Sequence, residues 1–261
     1  MTGTREPAVA GAFYPAEALE LKRMVDGFLR AARPKRVSDP RIVIAPHAGY
    51  IYSGPTAGFA FKPLEGLQIK RVFLLGPSHY AAFPGLGEDN HDKWKTPLGT
   101  VKVRRLSDFA KSGSIFSIPQ AFAPEHCLEV EIPFLQAVLH RAFEIVPALT
   151  GDISPSDAAD IIAPLLDSDS LLLVSSDLSH YHSYEQANRI DGITCKAISA
   201  LDMEAMQSHG EACGKTGVLA AMLIAKKLGL KCSMLDYRNS GDTAGDRLRV
   251  VGYGSFAFGK A

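Results

Sequence analysis

The sequence has 261 residues, 46% of them hydrophobic, and its 28 basic side chains balance 28 acidic ones. Such a composition suits a folded globular chain with one sizeable core, and the neutral balance argues against a protein built to hold nucleic acid or an anionic membrane surface. No apolar run approaches the roughly 18 residues a membrane span needs, and Met1 to Pro15 lacks a basic stretch followed by an apolar one, so the reading is a cytoplasmic protein without a secretory leader.

In chain order, Ala16 to Ala32 reads as a helix, with Leu21, Met24, Val25, Phe28 and Leu29 at helical spacing and Arg33–Pro34 as its stop. Arg41-Ile-Val-Ile-Ala45, Arg71-Val-Phe-Leu-Leu75 and Leu171-Leu-Leu-Val174 are short runs apolar on both faces, as strands of a sheet covered on both sides must be. Further strands are predicted near Thr100 to Val103 and Phe143 to Leu149. Helices are predicted over Glu129 to Arg141 (starting near Pro133), Pro155 to Leu166, Tyr184 to Leu201 and Lys215 to Leu228. Lys231 to Phe258 reads as two strands joined by a turn at Ser240-Gly241-Asp242. Strands alternating with helices, with no composition break, predict one α/β domain over residues 1–261, a central mixed sheet flanked by helices.

The position of the histidines points to chemistry. His47, His79 and His180 each follow one of the three clear strands, in turns rich in Pro, Gly or Ser. Ligands of open α/β sheets bind beyond the carboxyl ends of the strands. If the three strands are parallel neighbours, the histidines converge on one sheet edge; otherwise each is a turn residue bonded to backbone. His126, between Glu125 and Glu129, reads as structural. His182 faces either the same cleft or away from it.

The four cysteines, Cys127, Cys195, Cys213 and Cys232, form no C-x-x-C pair and read as free thiols in a reducing compartment. Cys213 stands just before the apolar helix, beside Lys215, where the helix dipole and the lysine favour a thiolate over a buried thiol. Two imidazoles and one anionic side chain make a metal site with open positions. With His47, His79 and Cys213 as such a set, the soft thiolate suits iron, copper(I) or zinc. His180 is then free as a general acid/base, and Asp177 either orients it or caps the next helix. Tyr14, Tyr50 and Tyr52 are candidates to line the cleft as substrate-binding groups, with His182; packing against the sheet edge is the other reading of the tyrosines.

Six ordered blocks carry a resemblance: Ala10-Gly11-Ala12-Phe13-Tyr14-Pro15, Pro46-His47-Ala48-Gly49-Tyr50-Ile51-Tyr52-Ser53-Gly54, Leu75-Gly76-Pro77-Ser78-His79, Glu125-His126-Cys127-Leu128-Glu129, Ser175-Ser176-Asp177-Leu178-Ser179-His180 and Cys213-Gly214. Together they resemble the Memo family, whose prokaryotic members are called AmmeMemoRadiSam system protein B. The resemblance implies the fold of LigB-type class III extradiol dioxygenases, nonheme iron enzymes in which two histidines and a glutamate hold the metal and another histidine moves protons. It implies His47 and His79 at the two histidine positions, Cys213 in place of the glutamate and His180 as the acid/base. It also implies iron(II) as the cofactor, with copper or zinc as alternatives, and a functional link to radical SAM and AMMECR1-like proteins.

Three functions follow as expectations. The first is a metal-dependent oxidoreductase, dioxygenase-like, of unknown substrate. The second is a non-catalytic protein that uses the histidine-lined cleft to bind a phosphopeptide or another anionic small-molecule or peptide ligand. The third is a thiol enzyme with Cys213 as nucleophile; no oxyanion-hole motif accompanies it. A shared fold does not choose among them.

Overall fold

The computed structural model describes residues 3–260; Met1, Thr2 and Ala261, part of the range 1–261 expected of the single domain, lie outside the described residues. Its strands are β1 (Thr4–Arg5), β2 (Ser38–Ala45), β3 (Arg71–Pro77), β4 (Leu86–Glu88), β5 (Lys93–Thr96), β6 (Gly99–Val103), β7 (Ile115–Ser117), β8 (Glu144–Thr150), β9 (Ser170–Ser175), β10 (His180–His182), β11 (Lys231–Asn239) and β12 (Val250–Lys260). They form one mixed sheet of 12 strands with the main order β1-β5-β6-β8-β3-β9-β2-β12-β10. The heart of it, β8-β3-β9-β2, is parallel, and β12 closes one side antiparallel to β2.

The helices are α1 (Ala18–Ala31), α2 (Tyr50–Phe61), α3 (Pro119–Phe122), α4 (Ile132–Val138), α5 (Pro155–Ile162), α6 (Tyr184–Ala200), α7 (Met203–His209), α8 (Lys215–Lys227) and α9 (Ser240–Thr243). The continuously apolar central strands bury both faces. Val43, Val72, Leu74, Leu171 and Leu173 join a core shared with Leu21 and Val25 of α1, Phe61 of α2 and Phe134 of α4. The alternate residues Ile42, Ile44, Phe73, Leu75, Leu172 and Val174 join a second core with Ala158 of α5, Ile198 of α6 and Val218 of α8. This is the period-two alternation of a sheet between two helical layers. No helix among the described residues is long and apolar enough to cross a membrane.

Most predicted elements are present with shifted ends. Glu17 caps α1 by accepting from the backbone of Glu20. The Glu129 to Arg141 prediction is too long: a 3-10 turn over Glu129–Glu131 leads into α4, which ends at Val138. Between β11 and β12, the predicted turn is the short helix α9 followed by a loop. Helix α2 is absent from the sequence reading, because Gly54, Pro55 and Gly58 resemble a loop. Packing overrides that signal. Gly54 and Gly58 lie one turn apart and admit Phe28 of α1, and a Cβ at Gly58 would sit 2.9 Å from the Phe28 carbonyl oxygen.

This close approach yields a prediction. Gly58→Ala gains helix propensity of about 1 kcal/mol but forces α1 from α2, at a cost of about 1–3 kcal/mol for overpacking. A lowered urea midpoint is expected; a raised one would show that the two helices separate freely.

Candidate metal centre

The centre grows from one register. Ile44, Val174 and Leu75 lie in a single row across β2, β9 and β3. Their chains therefore leave the sheet together, and His47, His79 and the Ser176 to His180 loop meet at the same edge. Two buried carboxylates tie the loops. Asp177 accepts from the backbone N–H of His47 at 2.8 Å. Glu125 accepts from the backbone N–H of His79 at 2.7 Å and from its ring Nδ1 at 2.9 Å, and from the backbone of His126 and Cys127.

Three imidazoles pack together here. His47 lies edge-on to His79 and His126, with centroids 5.3 and 5.6 Å apart, while His79 and His126 stack at 4.9 Å. Each offers a ring nitrogen within 4.8 Å of those of the other two. Cys213 Sγ lies 3.3 Å from Nε2 of His47 but is not within 4.8 Å of the whole group. A fourth histidine, His180, stands at the wall of the adjoining cavity of about 470 Å³, with Tyr52, His126, Asp177, Arg249 and Tyr253.

The residues fit a metal ion. His47 and His79 each engage Nδ1 with an oxygen, Ser175 Oγ at 2.8 Å and Glu125 Oε1 at 2.9 Å, which leaves Nε2 as the ligating atom. Nδ1 of His126 is buried and has no hydrogen-bond partner, a costly state for a polar atom unless something else satisfies it. Imidazole nitrogens with a thiol suit a transition metal rather than calcium or magnesium.

The electrostatics keep the nitrogens of His47 and His126 available. Burial, reinforced by His126 and His79, holds His47 well below the usual imidazole range, and burial lowers His126 as well. His79 is raised by its hydrogen bond to Glu125, against the effect of burial. Burial pushes Glu125 up, but the hydrogen bonds from His79 and the backbone prevail and bring it down to about 2.

Several sequence expectations find different surroundings. Cys213 is not primed as a thiolate: burial pushes it up to about 12, Asp177 adds to this, and the ammonium of Lys215 turns away to the carbonyl of Gln207. Asp177 does not orient His180. Its carboxylate faces the His47 loop, and Nδ1 of His180 contacts the carbonyl of Leu178 at 2.8 Å instead. Tyr14 and Tyr50 are interior: the Tyr14 hydroxyl donates to Glu129 and that of Tyr50 to the carbonyl of Val130. Tyr52 does line the cavity. His182 turns outward to Glu211 at 3.0 Å. A bulge between His180 and His182 sends them to different surroundings, with Tyr181 between them at φ +62°, a left-handed conformation unusual for a bulky side chain.

Sequence reasoning missed His126, read as structural, and Glu125 as the residue that holds His79. The signal was present in Glu125-His126-Cys127, but its strandless context hid that the segment folds over the sheet edge.

A family model described as "Memo-like protein" matches residues 5–257. The chain is 37% identical over 265 residues to a "MEMO1 family protein" of Aquifex aeolicus, covering 95% of this chain and 97% of that relative. A "MEMO1 family protein" of Sulfolobus acidocaldarius is also 37% identical, over 98% of this chain and 99% of its own. One from Nitrosopumilus maritimus is 32% identical over 97% and 99%. The chain thus belongs to the Memo family.

Asp177 gives a pH prediction. Burial pushes its carboxyl up to about 7, although the backbone N–H groups of His47 and Ala48 oppose the rise. An unfolded aspartate titrates near ~3.9, so between these values the folded chain binds the extra proton and stability falls as pH rises. Asp177→Asn keeps an acceptor for the backbone and removes the titration. In chelator-treated protein, its Tm is expected to fall less than that of wild type between acid and neutral pH. Parallel curves would remove Asp177 from the balance.

Proposed function

We propose that the chain is a metal-dependent oxidoreductase whose centre is held by His47, His79 and Cys213, with His126 alongside. The observation that carries the reading is the convergence of the His47, His79 and His126 imidazoles, beyond the carboxyl ends of the parallel strands that lead to His47 and His79. Iron(II) is the proposed metal, with copper or zinc compatible with the same donors. By the resemblance of its blocks to the metal and acid/base positions of LigB-type extradiol dioxygenases, we extend the proposal to that fold relationship. Iron or copper bound there would supply a redox centre and open positions for oxygen or substrate, and zinc would supply a Lewis acid only.

The chain's own residues have separable tasks. Asp177 and Glu125 hold the backbones of His47 and His79 in place. His180, with Nδ1 against the Leu178 carbonyl, presents Nε2 for proton transfer. Burial lowers the His180 imidazole, so it is a neutral base at neutral pH. Phe13, Tyr52 and Tyr253 give the cavity an aromatic wall suited to a flat ring.

One observation favours a second reading, binding of an anionic ligand. Arg249 is on the cavity wall, its guanidinium 5.0 Å from the Tyr181 ring centroid, and pairs with no carboxylate among the described residues. Metal-free protein that captures phosphotyrosine, with the affinity lost in Arg249→Ala, would support it.

The primary reading is tested by metal content after anaerobic purification. Near-stoichiometric iron or copper is expected, and loss of it in both His47→Ala and Cys213→Ser. Protein that takes up no metal even after reconstitution would overturn it. His180→Ala is expected to retain the metal and to lower turnover of a catechol by about 10²–10⁴-fold. Unchanged turnover would exclude His180 as the acid/base.

A further inference from the structure

Behind His47 lies a buried carboxyl that is neither a metal donor nor a part of the cavity wall. Glu131, in the 3-10 turn before α4, is 1% exposed, and its Oε1 is 2.7 Å from Ser175 Oγ. Ser175 Oγ is also 2.7 Å from the carbonyl oxygen of Cys127 and 2.8 Å from Nδ1 of His47. Three polar atoms thus crowd one buried hydroxyl at hydrogen-bond distance. A hydroxyl has one proton and two lone pairs.

The protons can be counted. The Cys127 carbonyl only accepts, so the Ser175 proton must point to it; otherwise two bare oxygens would face each other at 2.7 Å. Both remaining contacts then need a proton from the other side. At His47 it is a proton on Nδ1. At Glu131 it is a carboxylic acid proton. Any other distribution leaves one of the three short contacts without a hydrogen.

We infer that Glu131 is a neutral carboxylic acid that donates to Ser175, and that the two together hold His47 in the Nδ1–H form with Nε2 free for a metal. Glu131 is a positioning residue: it touches no ligand and acts through Ser175. The Cys127 carbonyl takes the hydroxyl's proton and Glu131 takes one lone pair in a fixed direction, so the hydroxyl cannot rotate and donate to His47. That rotation would stabilise the opposite tautomer, whose Nε2–H cannot ligate. The surroundings agree. Burial raises the Glu131 carboxyl well above the usual range, and nearby Asp177 adds to this, against the Ser175 contact. No cation pairs with Glu131 among the described residues. On the far side, Cys213 Sγ lies 3.3 Å from Nε2 of His47.

The consequence for metal affinity rests on the proposed metal centre; the proton arrangement does not, and the two are tested apart. In metal-free protein at neutral pH, infrared spectroscopy is expected to show the carbonyl stretch of a protonated buried carboxyl, absent from Glu131→Gln. Nitrogen-15 NMR is expected to show His47 protonated at Nδ1. A Glu131 ionised at neutral pH, or a His47 protonated at Nε2, would overturn the inference; the His47 state is read on wild type if the variant does not fold, and Asp177→Asn separates the other buried carboxyl from the Glu131 band. With zinc as the probe, Glu131→Gln, whose amide N–H still donates, is expected to keep the wild-type affinity. Glu131→Leu and Ser175→Ala are expected to lose about 10–100-fold, the range for residues that orient a ligand. Equal losses in Gln and Leu would also overturn it. Wild type that binds no metal while both spectra are as expected would fail the metal reading and leave the proton arrangement standing.

Discussion

The site depends on the level register of three parallel strands. Because β2, β9 and β3 pair with Ile44, Val174 and Leu75 in one row, the segments that follow emerge at the same height. A one-residue slip of any strand would exchange its two core faces and draw its loop away from the others. The two apolar cores prevent such a slip, since each strand is anchored on both sides. The chemistry of the edge is therefore set by residues far from it, in the alternation of Val, Ile and Leu through the sheet.

Above that frame, the loops are held by buried carboxylates rather than by regular secondary structure. Glu125 fixes His79, and Asp177 fixes the His47 loop. Glu129 accepts from Arg5, from the backbone of Ala8 and Val9 and from Tyr14. Arg5 in turn donates to the carbonyls of Phe122 and Glu125. The start of the chain thus fastens the segment that presents His126. Such ionic groups are costly to bury and are tolerated where every polar atom finds a partner. The Nδ1 of His126, buried with no hydrogen-bond partner and 3.4 Å from the Glu125 carboxylate, is an exception in that setting.

The central strands were legible because a buried parallel strand leaves an unbroken apolar run, and the histidines after them because turns beyond such strands follow directly in sequence. What was hidden came from contacts between distant segments. Helix α2 contradicts its own local signals and forms because Phe28 needs the space beside Gly54 and Gly58. The inward course of Tyr14 and Tyr50 depends on Glu129 and Val130, more than 75 residues away in sequence. The Cys213 thiol illustrates a competition of effects: its position before α8 favours ionisation, but desolvation at its partly buried site, invisible in the sequence, outweighs the dipole. The outward turn of His182 follows from a single bulge residue, Tyr181, which no periodicity reveals.

His47 and Cys213 are separated by 166 residues in sequence yet meet side chain to side chain. During synthesis the first of them emerges long before the second exists. A growing chain can align its early strands, but it cannot bring these two groups together until most of its length has been made. Closing so long a loop is entropically costly and belongs late in folding. The meeting of imidazole and thiol is therefore a late event, and a chain that stops short of Cys213 carries the histidines without the thiol.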